Sequence, residues 1–303
     1  MPDNKYLEYA KFLVSILPHI AREKCFALKG GTAINFFIRD LPRLSIDIDL
    51  AYIPIEDRKI TFANINSALH RVILSARKSI ADLQCPAKID VSQISKVIIK
   101  KGNVQIKIEP NIVFRGSVYP SAEKEIVKKA EQLIEQYVAI NTLSFADLYG
   151  SKLCAALDRQ HPRDIFDIKI LLENEGITKK VQKAFIVYLI SHNRPINELL
   201  NPKLKDITAS FNNEFEGMTT IDVTLKDLLK TRERYFKFVN EMLTQKERLF
   251  LLSMKMGEPD WNLLGLTGID SLPAVQWKLE NIRKLDKKKH MALIQKLRRT
   301  LQL

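Results

Sequence analysis

Residues 28–50 read LKGGTAINFFIRDLPRLSIDIDL and join a glycine turn to an acidic strand. From residue 45 to 52, apolar and polar residues alternate, so the isoleucines face one side of a predicted strand and Asp47 and Asp49 the other. Aspartate is uncommon in strands. Two carboxylates ~7 Å apart along one strand can bind hard divalent cations such as Mg²⁺ or Mn²⁺. The alternative interpretation is an ordinary half-exposed strand.

The glycine turn adds features that suit a phosphate group. Gly30 and Gly31 allow backbone conformations and close approaches that side chains would block. The helix expected over 32–38 offers backbone N–H groups to an anion, and Thr32 can cap this helix or donate a hydrogen bond from its hydroxyl. Taken alone, the turn is also typical of a plain strand-to-helix connection. Together with the D-x-D pattern, it indicates a nucleotide site.

Further polar residues extend the candidate site on both sides of this segment. Arg43 and Ser45 precede the D-x-D and either contact phosphate or brace the loop; the sequence leaves both roles open. The alternating runs ISKVIIKK and VQIKIEP, joined by Gly-Asn, predict a hairpin over 94–110. Lys107 and Glu109 share the polar face of its second strand. If that strand neighbours residues 45–51, Glu109 supplies a third carboxylate; otherwise it is a surface residue.

The helix expected over 144–158 carries a lysine in an apolar setting. Lys152 has small and apolar neighbours one turn away, so we expect it to be buried and to require an anion. The alternative is a side chain that reaches past the apolar stripe to solvent. Asp164 and Asp167 follow Pro162 at a helix start, where acids and proline are stabilising. They also share one helix face and are therefore candidates for a functional acid.

The whole pattern predicts an α+β protein with a mixed sheet flanked by helices and a helical C-terminal part. Strands are expected at 25–28, 45–52, in the hairpin, at 113–120 and at 137–140. Helices are expected over 3–17, 32–38 and 58–80, and then over 121–135, 144–158, 163–174, 178–192, 224–243, 246–254, 274–284 and 287–301. The expected domains are residues 1–140 and 141–303.

Composition narrows the class of protein. The 303 residues carry a net charge of +13, which points to an anionic partner such as nucleic acid. Residues 278–303 contain nine basic residues and two acidic residues. No apolar run is long enough for a membrane helix and no secretory signal is recognisable. The three cysteines are far apart, which argues against a disulfide framework. We therefore expect a cytoplasmic protein that needs no membrane partner.

These residues carry a resemblance. The GG[ST]…DxD arrangement resembles the nucleotidyltransferase fold of the DNA polymerase β superfamily, and LKGGTAINFF…LPRLSIDIDL resembles the AbiEii/AbiGii toxin family more narrowly. The segments VQIKIEPNIVFRG, FADLYGSKLCAALDRQHPRDIFDI and FLLSMKMGEPDW…LPAVQWKLENI are similar to later parts of that family. The spacer before the D-x-D is longer than in the classical superfamily, and Glu109 stands where aspartate is more usual.

The resemblance implies a nucleotidyltransferase domain at 1–140 and a helical domain that adds Lys152 and Asp164 to the site. It implies a metal-dependent enzyme that transfers a nucleoside monophosphate from a nucleoside triphosphate to RNA, with a tRNA 3′ end as the expected acceptor. This enzyme would be the translation-blocking toxin of a bacterial type IV toxin–antitoxin or abortive-infection system, with a cognate antitoxin encoded nearby. The implied catalytic residues are Asp47, Asp49, Glu109, Lys152 and Asp164, with the metal on Asp47, Asp49 and Glu109. The implied nucleotide-binding residues are Gly30, Gly31, Thr32, Arg43, Ser45, Lys107 and Asp167.

Two other functions remain open at this point. The first is a non-catalytic nucleic-acid-binding protein on a degenerate scaffold. The second is a nucleotidyltransferase that acts on a small molecule or a protein, and a nuclease or phosphotransferase could use the same carboxylates. The sequence also does not identify the nucleotide, the oligomeric state, or which of Asp164 and Asp167 is the functional acid.

Overall fold

The computed structural model describes residues 3–85 and 96–303, and these form two compact units. The first unit contains residues up to Leu148 together with Phe215–Asp222, and the second contains Tyr149–Glu214 and Val223–Leu303. The hairpin residues 94 and 95 lie outside the described part. The expected division at 140/141 remains a prediction.

The first unit is built on a mixed sheet of six strands in the order β3-β4-β2-β1-β6-β5. Its strands are β1 (Phe26–Lys29), β2 (Asp47–Tyr52), β3 (Val97–Lys101), β4 (Val104–Asn111), β5 (Ala122–Glu125) and β6 (Ala139–Thr142). The pairs β4/β2 and β1/β6 are parallel, and the other three neighbouring pairs are antiparallel. The α+β class and the hairpin β3–β4 are therefore confirmed.

The first unit also contains the helices α1 to α4. They are α1 (Asn4–Ala21), α2 (Gly30–Ala33), which continues as a π-helical turn over Ile34–Ile38, α3 (Arg58–Ser79) and α4 (Lys128–Ile134). Helix α1 contacts β4 and β6 through a buried apolar face. It runs three residues past Pro18, although the sequence predicted an end at residue 17. Buried Leu17 and Ile20 continue its apolar stripe, and their packing offsets the hydrogen bond that proline cannot donate.

Two predictions between β4 and β6 were wrong. Residues 113–120 form a loop, because the Asn111 side chain accepts hydrogen bonds from the backbone N–H groups of Val113 and Phe114 (3.0 and 2.9 Å) and turns the chain. The helix expected over 121–135 is shorter, because Ala122–Glu125 pairs with β6 as an exposed edge strand. Sequence propensity could not anticipate a charged edge strand.

The second unit is helical in its described residues. Helix α5 (Phe145–Asp158) begins in the first unit and ends in the second. It is followed by α6 (Pro162–Glu173), α7 (Lys179–Ser191), α8 (Ile196–Leu200), α9 (Thr208–Glu214), α10 (Leu225–Glu241), α11 (Gln245–Met256), α12 (Trp261–Leu264), α13 (Pro273–Arg283) and α14 (Lys287–Leu301). Helix α10 packs on α6, α13 on α7, and α14 on α8 and α11. The expected helical C-terminal part is thus confirmed.

Candidate active site

Strand pairing gathers the acidic residues of the first unit. In the parallel register of β2 and β4, Asp47 is opposite Lys107 and Asp49 is opposite Glu109. Paired residues of neighbouring strands project to the same face of a sheet. The D-x-D and the Lys-x-Glu therefore form one polar patch, while Ile48 between the aspartates is fully buried on the opposite face. All four polar side chains of the patch are half-buried.

The glycine turn lies against this patch. Gly30 directly follows β1, where Lys29 is the antiparallel partner of Asp49. Gly30 has φ +71°, and a Cβ atom added to it would lie 2.2 Å from Asp49 Oδ2. Only glycine adopts this backbone conformation easily, and only a residue without a side chain leaves room for the carboxylate. The turn and the second acid of the D-x-D are therefore fitted to each other.

Buried polar contacts fix the turn to β2. The Thr32 hydroxyl donates to the backbone carbonyl of Asp47 (2.5 Å), and its oxygen lies 3.0 Å from Ser45 Oγ. Thr32 lies inside α2, whose N-cap residue is Lys29. Arg43 is 1% exposed, donates to the Leu44 carbonyl, and has its guanidinium next to the space where Gly31 would carry a side chain. Of the two roles that the sequence left open for Arg43, bracing the loop agrees with this burial.

A later segment of the chain also holds this loop, and the sequence did not reveal it. Residues 215–222 belong to the first unit. The Leu44 N–H donates to the Met218 carbonyl (2.8 Å), and the Thr220 N–H donates to the Pro42 carbonyl (2.9 Å). The Thr220 hydroxyl adds a bond to the Leu41 carbonyl. These contacts join residues far apart in sequence, for which no local pattern exists.

The polar patch has the donor chemistry that a divalent cation requires. Carboxylate oxygens are the ligands that Mg²⁺ and Mn²⁺ prefer, and Mg²⁺ is commonly held by one or two carboxylates together with substrate phosphates and water. Asp47 and Asp49 meet this requirement by type and position. Glu109 forms an ion pair with Lys107. Among residues 3–85 and 96–303, no three Asp, Glu, His or Cys side chains converge as a ready-made metal site.

The second unit contains its own acidic cluster. Lys152 on α5 is 7% exposed, as expected, and its Nζ lies 2.9 Å from Asp164 Oδ1 and 3.0 Å from Asp167 Oδ2. Both aspartates lie in the first turns of α6 and are at most 2% exposed. Arg159 adds two nitrogen contacts to Asp164, at 3.1 and 2.9 Å. The anion that the buried lysine requires is thus supplied within the same unit.

The charges in this cluster determine the ionisation of Asp164. Burial favours the neutral acid, but the positive charges of Lys152 and Arg159 outweigh it and hold the pKa of Asp164 well below its ordinary range. Asp164 is therefore a carboxylate at any physiological pH. Arg159 was not among the residues expected from the sequence, because it lies in the link between two helices and shares no helix face with Asp164.

The structure thus brings the predicted residues together in two groups. One group, in the first unit, contains Gly30, Gly31, Thr32, Arg43, Ser45, Asp47, Asp49, Lys107 and Glu109. The other group, in the second unit, contains Lys152, Asp164 and Asp167. The individual roles of these residues remain predictions.

Comparison with known proteins now identifies the family. MenT4, a nucleotidyltransferase toxin from Mycobacterium tuberculosis H37Rv, has a similar solved structure, with a TM-score of 0.60 over 91% of this chain and 93% of that one at 11% sequence identity. This likeness establishes the fold. Residues 11–281 match the family described as "Nucleotidyl transferase AbiEii toxin, Type IV TA system". The chain belongs to the AbiEii toxin family. No curated protein sequence matches it.

Membership confirms the resemblance seen in the sequence. It implies a nucleoside triphosphate as substrate and an antitoxin as partner. In the part of the chain that the structure describes, no helix is long and apolar enough to cross a membrane.

Proposed function

We propose that this AbiEii-family protein transfers a nucleoside monophosphate from a nucleoside triphosphate to RNA, with a tRNA 3′ end as acceptor, and thereby blocks translation in the cytoplasm. The observation that supports it most strongly is the pairing of Asp47 and Asp49 with Lys107 and Glu109 on one sheet face, against the Gly30 turn. An acidic patch in a protein of net charge +13 suits a cation-assisted reaction on an anionic substrate.

Asp47 and Asp49 would hold Mg²⁺ or Mn²⁺. When bound, the cation supplies positive charge to the triphosphate and its leaving pyrophosphate. Gly30 keeps the turn close to Asp49, and the Thr32 hydroxyl fixes the backbone of Asp47. Both contacts preserve the spacing of the two carboxylates before substrate arrives, which is the preorganisation that phosphoryl transfer depends on.

Glu109 is the base in this proposal. The acceptor hydroxyl oxygen forms a bond to the α-phosphorus, the bond from that phosphorus to the pyrophosphate oxygen breaks, and the hydroxyl proton passes to Glu109. The ion pair with Lys107 keeps the Glu109 carboxylate on the polar face. For the second unit we propose that Asp164 and Asp167 hold Lys152 in place; a direct contact of Lys152 with nucleotide phosphate stays a prediction.

The test is to incubate the protein with each labelled nucleoside triphosphate, a divalent cation and total cellular RNA. We expect one nucleotide to label RNA of tRNA size. Asp47→Ala and Asp49→Ala should each lower this transfer by about 10³-fold, because they remove the ligands of the cation, and should abolish growth inhibition in cells. A cognate antitoxin should restore growth to cells that express the wild-type protein.

Asp40→Ala provides the matched control, because Asp40 is an exposed aspartate in the loop before β2. It should retain both transfer and growth inhibition. Full transfer by either D-x-D variant would show the mechanism to be wrong. Growth inhibition without any transfer would favour a non-catalytic nucleic-acid-binding protein. If the label appears in a small molecule or a protein, that molecule and not RNA is the acceptor.

A further inference from the structure

Helix α14 has an unusually one-sided charge. Its fifteen residues contain six lysines and arginines and no acid. All six basic side chains are exposed. We call this set the basic face: Lys287, Lys288, Lys289, Lys296, Arg298 and Arg299.

The helix that carries the basic face is fixed to its own unit. Leu297 and Leu301 are buried. The Arg248 guanidinium on α11 donates to the Leu301 carbonyl (2.8 Å), and His290 Nε2 lies 2.7 Å from the Lys255 carbonyl. These contacts at both ends hold one side of α14 against α11. The opposite side is therefore presented to solvent as a rigid surface.

Helical geometry distributes the six charges over the whole exposed side. At 100° per residue, Lys288 and Arg299 point away from buried Leu297, and the other four basic residues lie on the two flanks. Lys288 and Arg299 are ~16 Å apart along the axis, at a rise of about 1.5 Å per residue. A polyanion lying along this face would meet positive charge at both ends of the helix.

Helix stability explains only two of the six charges, because Arg298 and Arg299 lie in the last turn, where positive charge suits the helix dipole. Three lysines occupy the first turn, where positive charge opposes the helix dipole, and Asp286 at the N-cap is the acid that counters them there. No ion pair joins the basic face to an acid of the described residues. The charges repel one another, and a bound polyanion would relieve this repulsion.

We propose that the basic face binds the phosphate backbone of the acceptor RNA, which places RNA docking on α14 and leaves the chemistry to the carboxylates of β2 and β4. This inference rests on the proposed function, because that function names RNA as acceptor. Contacts to phosphate carry no sequence information, so the face would strengthen binding of any RNA and leave acceptor choice to other residues.

Two other partners fit the basic face less well. An amphipathic helix that binds a membrane inserts its apolar side, but the buried leucines of α14 are already packed within the protein. Protein interfaces are rich in aromatic and apolar anchors and poor in lysine. Among the residues of α14, Met291 is the one large apolar side chain that is strongly exposed, at 57%.

The test compares two variants with the same loss of charge in the same unit. The first carries Lys288→Gln, Lys289→Gln, Lys296→Gln and Arg299→Gln, which keep helix propensity. The control carries Lys179→Gln, Lys180→Gln, Lys226→Gln and Lys230→Gln, which are exposed positions on α7 and α10. Binding of unfractionated tRNA is measured without nucleotide over a series of salt concentrations, and Mg-NTP binding and melting temperature are measured for both variants.

For the basic-face variant we expect tRNA affinity at low salt to fall by about 10-fold or more, and the salt slope to fall by about 3, at roughly 0.7–0.9 per phosphate contact. Mg-NTP binding should not change, and the control should bind tRNA nearly as the wild type does. Equal losses in both variants would overturn the proposal, because general charge would then explain binding. Equally tight binding of polyglutamate, or of vesicles containing phosphatidylglycerol, would also overturn it.

The outcome is independent of the reaction itself. Suppose that the wild type transfers no nucleotide and that only the basic-face variant binds tRNA more weakly. The proposed function would then be wrong, and the proposed docking surface would be supported. If transfer to RNA occurs but the two variants bind tRNA equally, the proposed function stands and the docking surface is wrong.

Discussion

The two acidic groups of this protein differ in how deeply they are buried. Asp47 and Asp49 lie half-buried on a sheet face, beside one Lys–Glu pair that is itself partly exposed. Asp164 and Asp167 are buried and both contact the ammonium of Lys152. The same residue type thus occurs once on an accessible face and once inside a closed ion-pair network.

This difference in burial distinguishes a site that is open to solvent from a cluster that is not. A divalent cation can approach the half-buried carboxylates of the sheet face from solvent. In the second unit, an incoming charge would have to displace Lys152 from two carboxylates within a buried environment, where an unpaired charge is costly. We therefore expect substitutions on the sheet to affect chemistry, and substitutions in the cluster to affect stability.

The largest effect on stability should come from Lys152→Met. It removes the ammonium that both buried carboxylates contact, and we expect the free energy of unfolding to fall by about 3–5 kcal/mol. Lys107→Met removes the exposed partner of Glu109 and should cost about 0–1 kcal/mol. Urea unfolding of the two variants measures both values. Equal loss of unfolding free energy in the two variants would contradict the proposed difference between the buried cluster and the sheet face.

Gly30→Ala should have the next largest effect. The substitution introduces a Cβ at φ +71°, next to the carboxylate of Asp49, and should cost about 2 kcal/mol or more as well as most of the transfer activity. Gly102→Ala is the control, because Gly102 has φ +56° but open space around it; it should cost ~1 kcal/mol and keep activity. Matching losses for the two alanines would mean that the fit between turn and carboxylate is unimportant.

A smaller effect should appear in the acid range. Because the pKa of Asp164 is lower in the folded protein than in the unfolded chain, its ionised form contributes stability that is fully present above about pH 4 and is lost as the pH falls further. The slope from this group should reach about 1.4 kcal/mol per pH unit. Asp164→Asn should flatten the dependence of unfolding free energy on pH below 4. An unchanged slope in that variant would contradict the low pKa.

The sequence predicted the elements that a local residue pattern marks. Alternation over two residues marked β2 and the hairpin. The burial of Lys152 followed in the same way from its helical neighbours. Each of these inferences depends on residues within one turn or one strand of one another. The sequence left open whether the strand of Glu109 neighbours residues 45–51, and the register places Glu109 opposite Asp49.

The parts that the sequence did not predict depend on distant or exposed contacts. Strand β5 is fully exposed at a sheet edge, so it lacks the apolar pattern that marks a strand. The sequence indicated that Lys152 requires an anion, but it did not identify the two carboxylates twelve and fifteen residues later as its partners. The segment 215–222 holds the loop before β2 through backbone hydrogen bonds and a bond from the Thr220 hydroxyl, and contacts so distant in sequence leave no local pattern.

In the proposed mechanism, Asp47 and Asp49 hold the cation through which a nucleoside triphosphate is bound. The most direct measurement is calorimetric titration of the nucleotide that labels RNA into the wild type and into Asp49→Asn, with Mg²⁺ and with a chelator. We expect binding to the wild type only with Mg²⁺, and no binding to Asp49→Asn although its melting temperature is unchanged. Binding of equal affinity to both proteins, or binding that persists in the chelator, would contradict the proposed mechanism.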